Sequence, residues 1–131
     1  MAAGCVALGM LAGCQSPTTA LLDLPELQVV TAPATRGSPV VLDVVNSTPH
    51  TVSFEALACI IGLQELVGST WQPMEVGGGE CTGLPVELPP DARHGVSVDT
   101  PADRGGRFRA VLEGSSPAGP FVIRSQPFEV E

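Results

Sequence analysis

Apolar residues recur at every second position in short runs, and each run is stopped by Gly, Pro or Asn within about a dozen residues. In residues 39–46, Val40, Leu42 and Val44 share one face and Asp43 the other. In residues 106–113, Phe108, Ala110 and Leu112 point one way and Arg107, Arg109 and Glu113 the other. A period of two places alternate side chains on opposite sides of a pleated strand, so each run reads as a strand with one buried face. Further runs occupy residues 27–32, 70–76, 95–99 and 121–130, the last interrupted at Pro127, with a short one at Val86 and Leu88. Another opens at Val52 and Phe54 and continues through Leu57, Cys59 and Ile61. Strands at this spacing, separated by turn signals, predict an all-β sandwich of seven or eight mostly antiparallel strands.

Composition agrees. The 131 residues include 15 Gly and 13 Pro, too many helix-breaking residues for a helix bundle or coiled coil. Residues 55–67 partly fit a helical period, but Gly62 and the β-branched pair Ile60-Ile61 favour a strand there. With 44% hydrophobic and 15% charged residues, the chain has enough apolar surface to close one core. A net charge of −8 excludes nucleic acid as a partner, because that affinity comes from neutralising phosphates.

The first residues, MAAGCVALGMLAG, carry no charge and precede Cys14. The apolar stretch has the length of a signal-peptide core and is too short to cross a bilayer as a helix. Leu11-Ala12-Gly13-Cys14 resembles the lipobox of bacterial lipoproteins. The resemblance implies cleavage after Gly13, a diacylglycerol thioether on Cys14 and acylation of the new N-terminus. Three acyl chains exceed what stable anchoring requires. The basic residue that usually precedes such a stretch is missing; either export works without it or the true start lies a few codons upstream, and the second reading is favoured. Gln15 stands where Asp would mean inner-membrane retention in proteobacteria, so the resemblance points to the outer membrane, within a bacterial cell envelope.

On that reading Cys5 leaves with the signal and Cys14 takes the lipid, so Cys59 and Cys81 remain. Two cysteines in an oxidising compartment, with no CxxC and no nearby His, suit a disulfide better than a metal site. Closing that loop contributes about 3 kcal/mol in the chain-entropy picture. The alternative is a buried free Cys59 with an exposed Cys81. The organisation expected is a signal peptide over residues 1–13, the lipidated Cys14 and a tether over 14–26, and one domain over 27–131.

Within that domain six short motifs occur in order: Asn46-Ser47-Thr48, Val52-Ser53-Phe54, Trp71-Gln72-Pro73-Met74, Leu88-Pro89-Pro90, Gly105-Gly106-Arg107-Phe108-Arg109, and Ser125-Gln126-Pro127-Phe128-Glu129-Val130. Together they resemble a bacterial immunoglobulin-like domain of secreted and lipid-anchored proteins. Phe108 stands where that family commonly has Tyr, and Asp91 where it often has Gly. The resemblance implies an immunoglobulin-like sandwich and an extracytoplasmic location, and it carries no common activity.

No residue pattern points to catalysis or to a cofactor. His50 follows Pro49 and His94 precedes Gly95, both in expected turns, and neither has a neighbour at a catalytic or metal-binding spacing. Asp91, Asp99 and Asp103 are loop carboxylates without a calcium-loop spacing, better read as solvated turn residues. Asn46-Ser47-Thr48 fits a glycosylation sequon, but an Asn before a turn needs no further reason. Trp71, the one Trp, is expected to pack in the core or at an edge, with an exposed ligand platform as the alternative. Arg107 and Arg109, with Arg104 nearby, are expected to answer acids on neighbouring strands; with Trp71 they are the candidate surface contacts. The expectation is a non-catalytic module held on the membrane through Cys14, binding or scaffolding an envelope protein or polymer. The competing readings are a proteinase inhibitor presenting the loop at residues 77–83, and an enzyme or metal carrier built on sandwich loops.

Overall fold

The computed structural model describes residues 24–31, 33–56, 60–74 and 83–131. Cys14, Cys59 and Cys81, the leader, most of the tether and residues 77–82 of the expected inhibitory loop lie outside the described residues. Ten strands follow in order: β1 (Glu26–Val29), β2 (Pro39–Val45), β3 (Val52–Phe54), β4 (Gly62–Val67), β5 (Thr70–Met74), β6 (Val86–Leu88), β7 (Arg93–Asp99), β8 (Gly106–Ser116), β9 (Gly119–Arg124) and β10 (Phe128–Val130). They form an immunoglobulin-like sandwich of two antiparallel sheets, one of three strands in the order β1-β2-β7 and one of seven. The alternation in the sequence is the cause: Val40, Leu42, Val44, Phe108, Ala110 and Leu112 have no exposed surface, and Val52 and Phe54 have 1% each.

β8 is the spine of the larger sheet. One of its edges pairs with β4 over residues 108–111 and with β3 at Ser115. The other pairs with β10 over residues 106–108 and with β9 over residues 111–116. Eleven residues at about 3.4 Å each are long enough to serve two partners per edge. β5 lies outside β4, and β6 outside β3.

This arrangement divides the run through Ile61, which the sequence presents as continuous, and the last run, which breaks before Phe128 as Pro127 suggests, so the count rises from eight to ten. Ser53 opposes Ser115 and Gly62 opposes Val111, so nine steps on one side meet four on β8, an excess of five. The expected strand through Ile61 is therefore broken after Phe54, where Glu55 and Ala56 bend and Ile60 N–H donates to Ala56 O at 3.1 Å. Strand resumes at Gly62. Likewise Arg124 opposes Val111 and Phe128 opposes Phe108, four steps against three. The extra residue is absorbed as a bulge before Pro127, which has no N–H to give the ladder. There Ser125 Oγ accepts Ala110 N–H at 2.9 Å and keeps the buried backbone satisfied.

The chain crosses between sheets after β2, after β6 and after β7, and one side chain ties the first two crossings together. Asn46, with no exposed surface, donates through Nδ2 to Leu88 O and to His50 O, each at 2.8 Å. Its Oδ1 accepts Thr48 N–H at 3.1 Å and the Thr48 hydroxyl at 2.7 Å. Its backbone N–H donates to Ala92 O at 3.0 Å, and its carbonyl accepts Asp91 N–H at 2.8 Å. The sequon is thus a structural clasp, and its amide hydrogens are committed to carbonyls inside the protein. Asp91, beside it, has φ of 67°, the left-handed region that favours Gly.

Candidate contact face

The outward residues of the larger sheet follow from the register. β8 presents Arg107, Arg109, Val111, Glu113 and Ser115, opposite to the buried Phe108, Ala110 and Leu112. Gln64 on β4 lies opposite Arg109, Trp71 on β5 lies opposite Leu66, and Arg124 on β9 lies opposite Val111. Gln64, Trp71 and Arg124 therefore share the face of Arg109.

Arg109 and Trp71, far apart in the sequence, meet here. The guanidinium carbon of Arg109 stands 4.4 Å from the centre of the indole ring. Its Nε donates to Gln64 Oε1 at 2.6 Å. A stacked cation of this kind contributes about 0.5–1 kcal/mol at a partly exposed site. Desolvation, and secondly the charge of Arg124, hold the Arg109 pKa below its ordinary value. Trp71 is half-buried on an edge strand, so it packs at the edge and not in the core.

Arg107 and Arg104 are paired, as expected for a wet strand face. Arg107 meets Glu129, its cross-strand neighbour, at 3.5 Å with both groups more than half exposed, a contact of at most about 1 kcal/mol. Arg104 binds Glu65 at 3.0 Å, with Asp103 at 3.7 Å. The hydrogen bond to Glu65, then the charge of Glu65, raises the Arg104 pKa.

The face changes character along β8. Beyond Val111, Ser53, Glu55, Ile60, Glu113, Ser115 and Pro120 line a shallow cleft of 310 Å³. One end of β8 thus bears Arg107, paired with Glu129, and Arg109; Arg124 is level with Val111 at the middle, and the other end bears two carboxylates and two hydroxyls. A second groove, of 680 Å³, runs between β1 and β9 and is lined in part by Leu24, Leu27, Val122 and Arg124.

The remaining candidates do not converge. His50 is exposed in the turn after β2 and enters the clasp through its backbone, its carbonyl accepting from Asn46 and Thr48 and its N–H donating to Thr48 Oγ1 at 3.3 Å. His94 is not in a turn, as its sequence neighbours suggested, but within β7, paired with Val44; β7 starts at Arg93 because β2 is long enough to pair with it there. Among the described residues, no three His, Cys, Asp or Glu side chains gather closely enough to hold a metal ion. Gln64 and Arg124 were not among the sequence candidates. Alternation marks both as outward, but nothing in the sequence says which strand lies beside β8.

No family model matches the chain. No curated protein matches it either. Among solved structures, the archaellum periplasmic stator protein FlaG from Sulfolobus acidocaldarius is similar at 16% identity and a TM-score of 0.46, over 80% of this chain and 100% of that one. A complex of FlaF and FlaG from the same organism is similar at 16% identity and a TM-score of 0.45, over 80% and 90%. The ASH / PapD-like domain 7 of human CEP192 is similar at 14% identity and a TM-score of 0.38, over 83% and 88%.

Proposed function

We propose that this chain is a non-catalytic lipoprotein of the bacterial cell envelope. On this reading Cys14 carries the lipid, and the immunoglobulin-like sandwich binds or scaffolds an envelope component through the outer face of its larger sheet. The observation that carries the reading is Leu11-Ala12-Gly13-Cys14 directly after an uncharged apolar stretch. Nine residues separate Cys14 from Leu24, a reach of at most about 32 Å, so an acylated Cys14 keeps the domain beside the bilayer. The Trp71–Arg109–Gln64 contact supports the choice of face, because it holds a cation in one orientation where a partner can meet it.

The test is membrane fractionation with mass analysis of the N-terminal peptide. The parent chain is expected in the membrane pellet, in the outer-membrane fraction where the host has two membranes, with diacylglycerol on Cys14. Cys14→Ser is expected in the soluble or precursor fraction. An unmodified Cys14, or unchanged fractionation of Cys14→Ser, overturns the anchor. The same location makes Cys59–Cys81 a disulfide, so both thiols are expected to resist alkylation until a reductant is added.

A further inference from the structure

We propose that the outer face of the larger sheet is self-complementary and pairs with the same face of a second copy of this chain, the two β8 strands running in opposite directions across the seam. The inference rests on the contact face proposed above, naming a second copy as what that face meets, and it does not depend on the anchor.

The order of outward residues on β8 is Arg107, Arg109, Val111, Glu113, Ser115. Arg109 lies two residues before Val111 and Glu113 two residues after, about 7 Å on either side. A two-fold axis lying in the seam, perpendicular to β8 and crossing it at Val111, reverses the strand. Each Arg109 then faces the other copy's Glu113, and each Arg107 faces the other copy's Ser115. The axis makes every such contact twice.

The receiving end is shaped for a guanidinium. Its cleft offers the carboxylates of Glu55 and Glu113 and the hydroxyls of Ser53 and Ser115, all able to accept hydrogen bonds. The giving end is already ordered. Nε of Arg109 is held by Gln64 and its guanidinium carbon lies over Trp71, while no carboxylate among the described residues pairs with it. Glu113 likewise takes part in no ion pair among the described residues. The middle of the seam is apolar: Val111 is half-buried, and Val122, level with Glu113 on β9, is 40% exposed. Arg124, the cross-strand partner of Val111, lies on the line of the axis and so meets the other copy's Arg124, and its arm is long enough to turn aside to that copy's Glu113. At −8 per chain, two copies repel overall, so only the orientation that brings unlike charges together gives association.

Val111→Cys in the full chain places a thiol on the axis, and mild copper-phenanthroline oxidation is expected to give a disulfide-linked dimer on a non-reducing gel. The unsubstituted chain sets the background from its own four cysteines. Adding Arg109→Glu, or Glu113→Arg, to Val111→Cys is expected to lower the dimer about tenfold, since each change turns two attractive contacts into repulsive ones. Adding both together restores attraction across the seam and is expected to bring the dimer back. Glu113 is exposed and free of ion pairs among the described residues, so its variant tests the seam without disturbing the Trp71 stack. No dimer above background from Val111→Cys overturns the proposal. So does a dimer indifferent to Glu113→Arg, or a double swap that fails to recover although it resists proteolysis as the parent does.

Discussion

The rings of Phe54 and Phe121 meet edge to face, with centroids 5.9 Å apart and planes at 87°. They can do so because Gly114, on the strand between theirs, has no side chain. A Cβ placed there would lie 2.6 Å from Phe54 and 2.8 Å from Phe121. The Gly114→Ala variant is therefore expected to lose about 1–3 kcal/mol by overpacking. Urea unfolding measures this, and a loss below about 0.5 kcal/mol would mean the rings have room to separate.

Asn46 is expected to be the most sensitive polar residue of the domain. Its removal in Asn46→Ala leaves Leu88 O without the donor that reaches it and weakens the bonding of His50 O, at a cost of about 2–4 kcal/mol. Asn46→Asp keeps the size and is expected to be no milder, because a carboxylate cannot donate to either carbonyl. Thermal unfolding of the three chains distinguishes donation from shape; an Asp variant as stable as the parent would rule out the donor role.

At Asp91 the order of stabilities should follow the backbone. With φ at 67°, Asp91→Gly is expected to match or exceed the parent, whereas Asp91→Val is expected to lose about 1–2 kcal/mol. A Val variant as stable as the Gly variant would show that the turn relaxes out of the left-handed region.

The two histidines are expected to be dispensable. His50 contributes a carbonyl that Ala retains, and His94 is exposed at the start of β7. Each His→Ala variant should unfold within about 0.5 kcal/mol of the parent and complement a deletion strain at equal protein level. A catalytic His contributes typically 10²–10⁴-fold, so failure to complement with folding intact would revive the enzyme reading.

The family-like motifs acquire a physical account once the crossings are seen. Asn46-Ser47-Thr48 and Leu88-Pro89-Pro90 are distant in sequence, yet Asn46 donates to Leu88 O, so the two motifs are halves of one contact. Asp91, beside that contact, takes a positive φ, the conformation Gly adopts most readily. Ser125, at the head of the last motif, supplies the acceptor that the bulge before Pro127 removes from the ladder.

What the sequence determined by itself is whatever depends on the nearest few residues. The faces of β2, β7 and β8, the stop at each Gly or Pro cluster and the outward direction of Arg107 and Arg109 all follow from a period of two, because strand geometry sends neighbours to opposite sides. Pairing has no such local origin. The division of the run after Phe54 into β3 and β4, the place of His94 inside β7, and the meeting of Arg109 with Trp71 and Gln64 all depend on which strand lies beside which, and at what register. Register is decided by the burial of both sheets at once, since a slip of one residue would turn every core side chain of a strand outward. Only the closed sandwich meets that condition for all of its strands together.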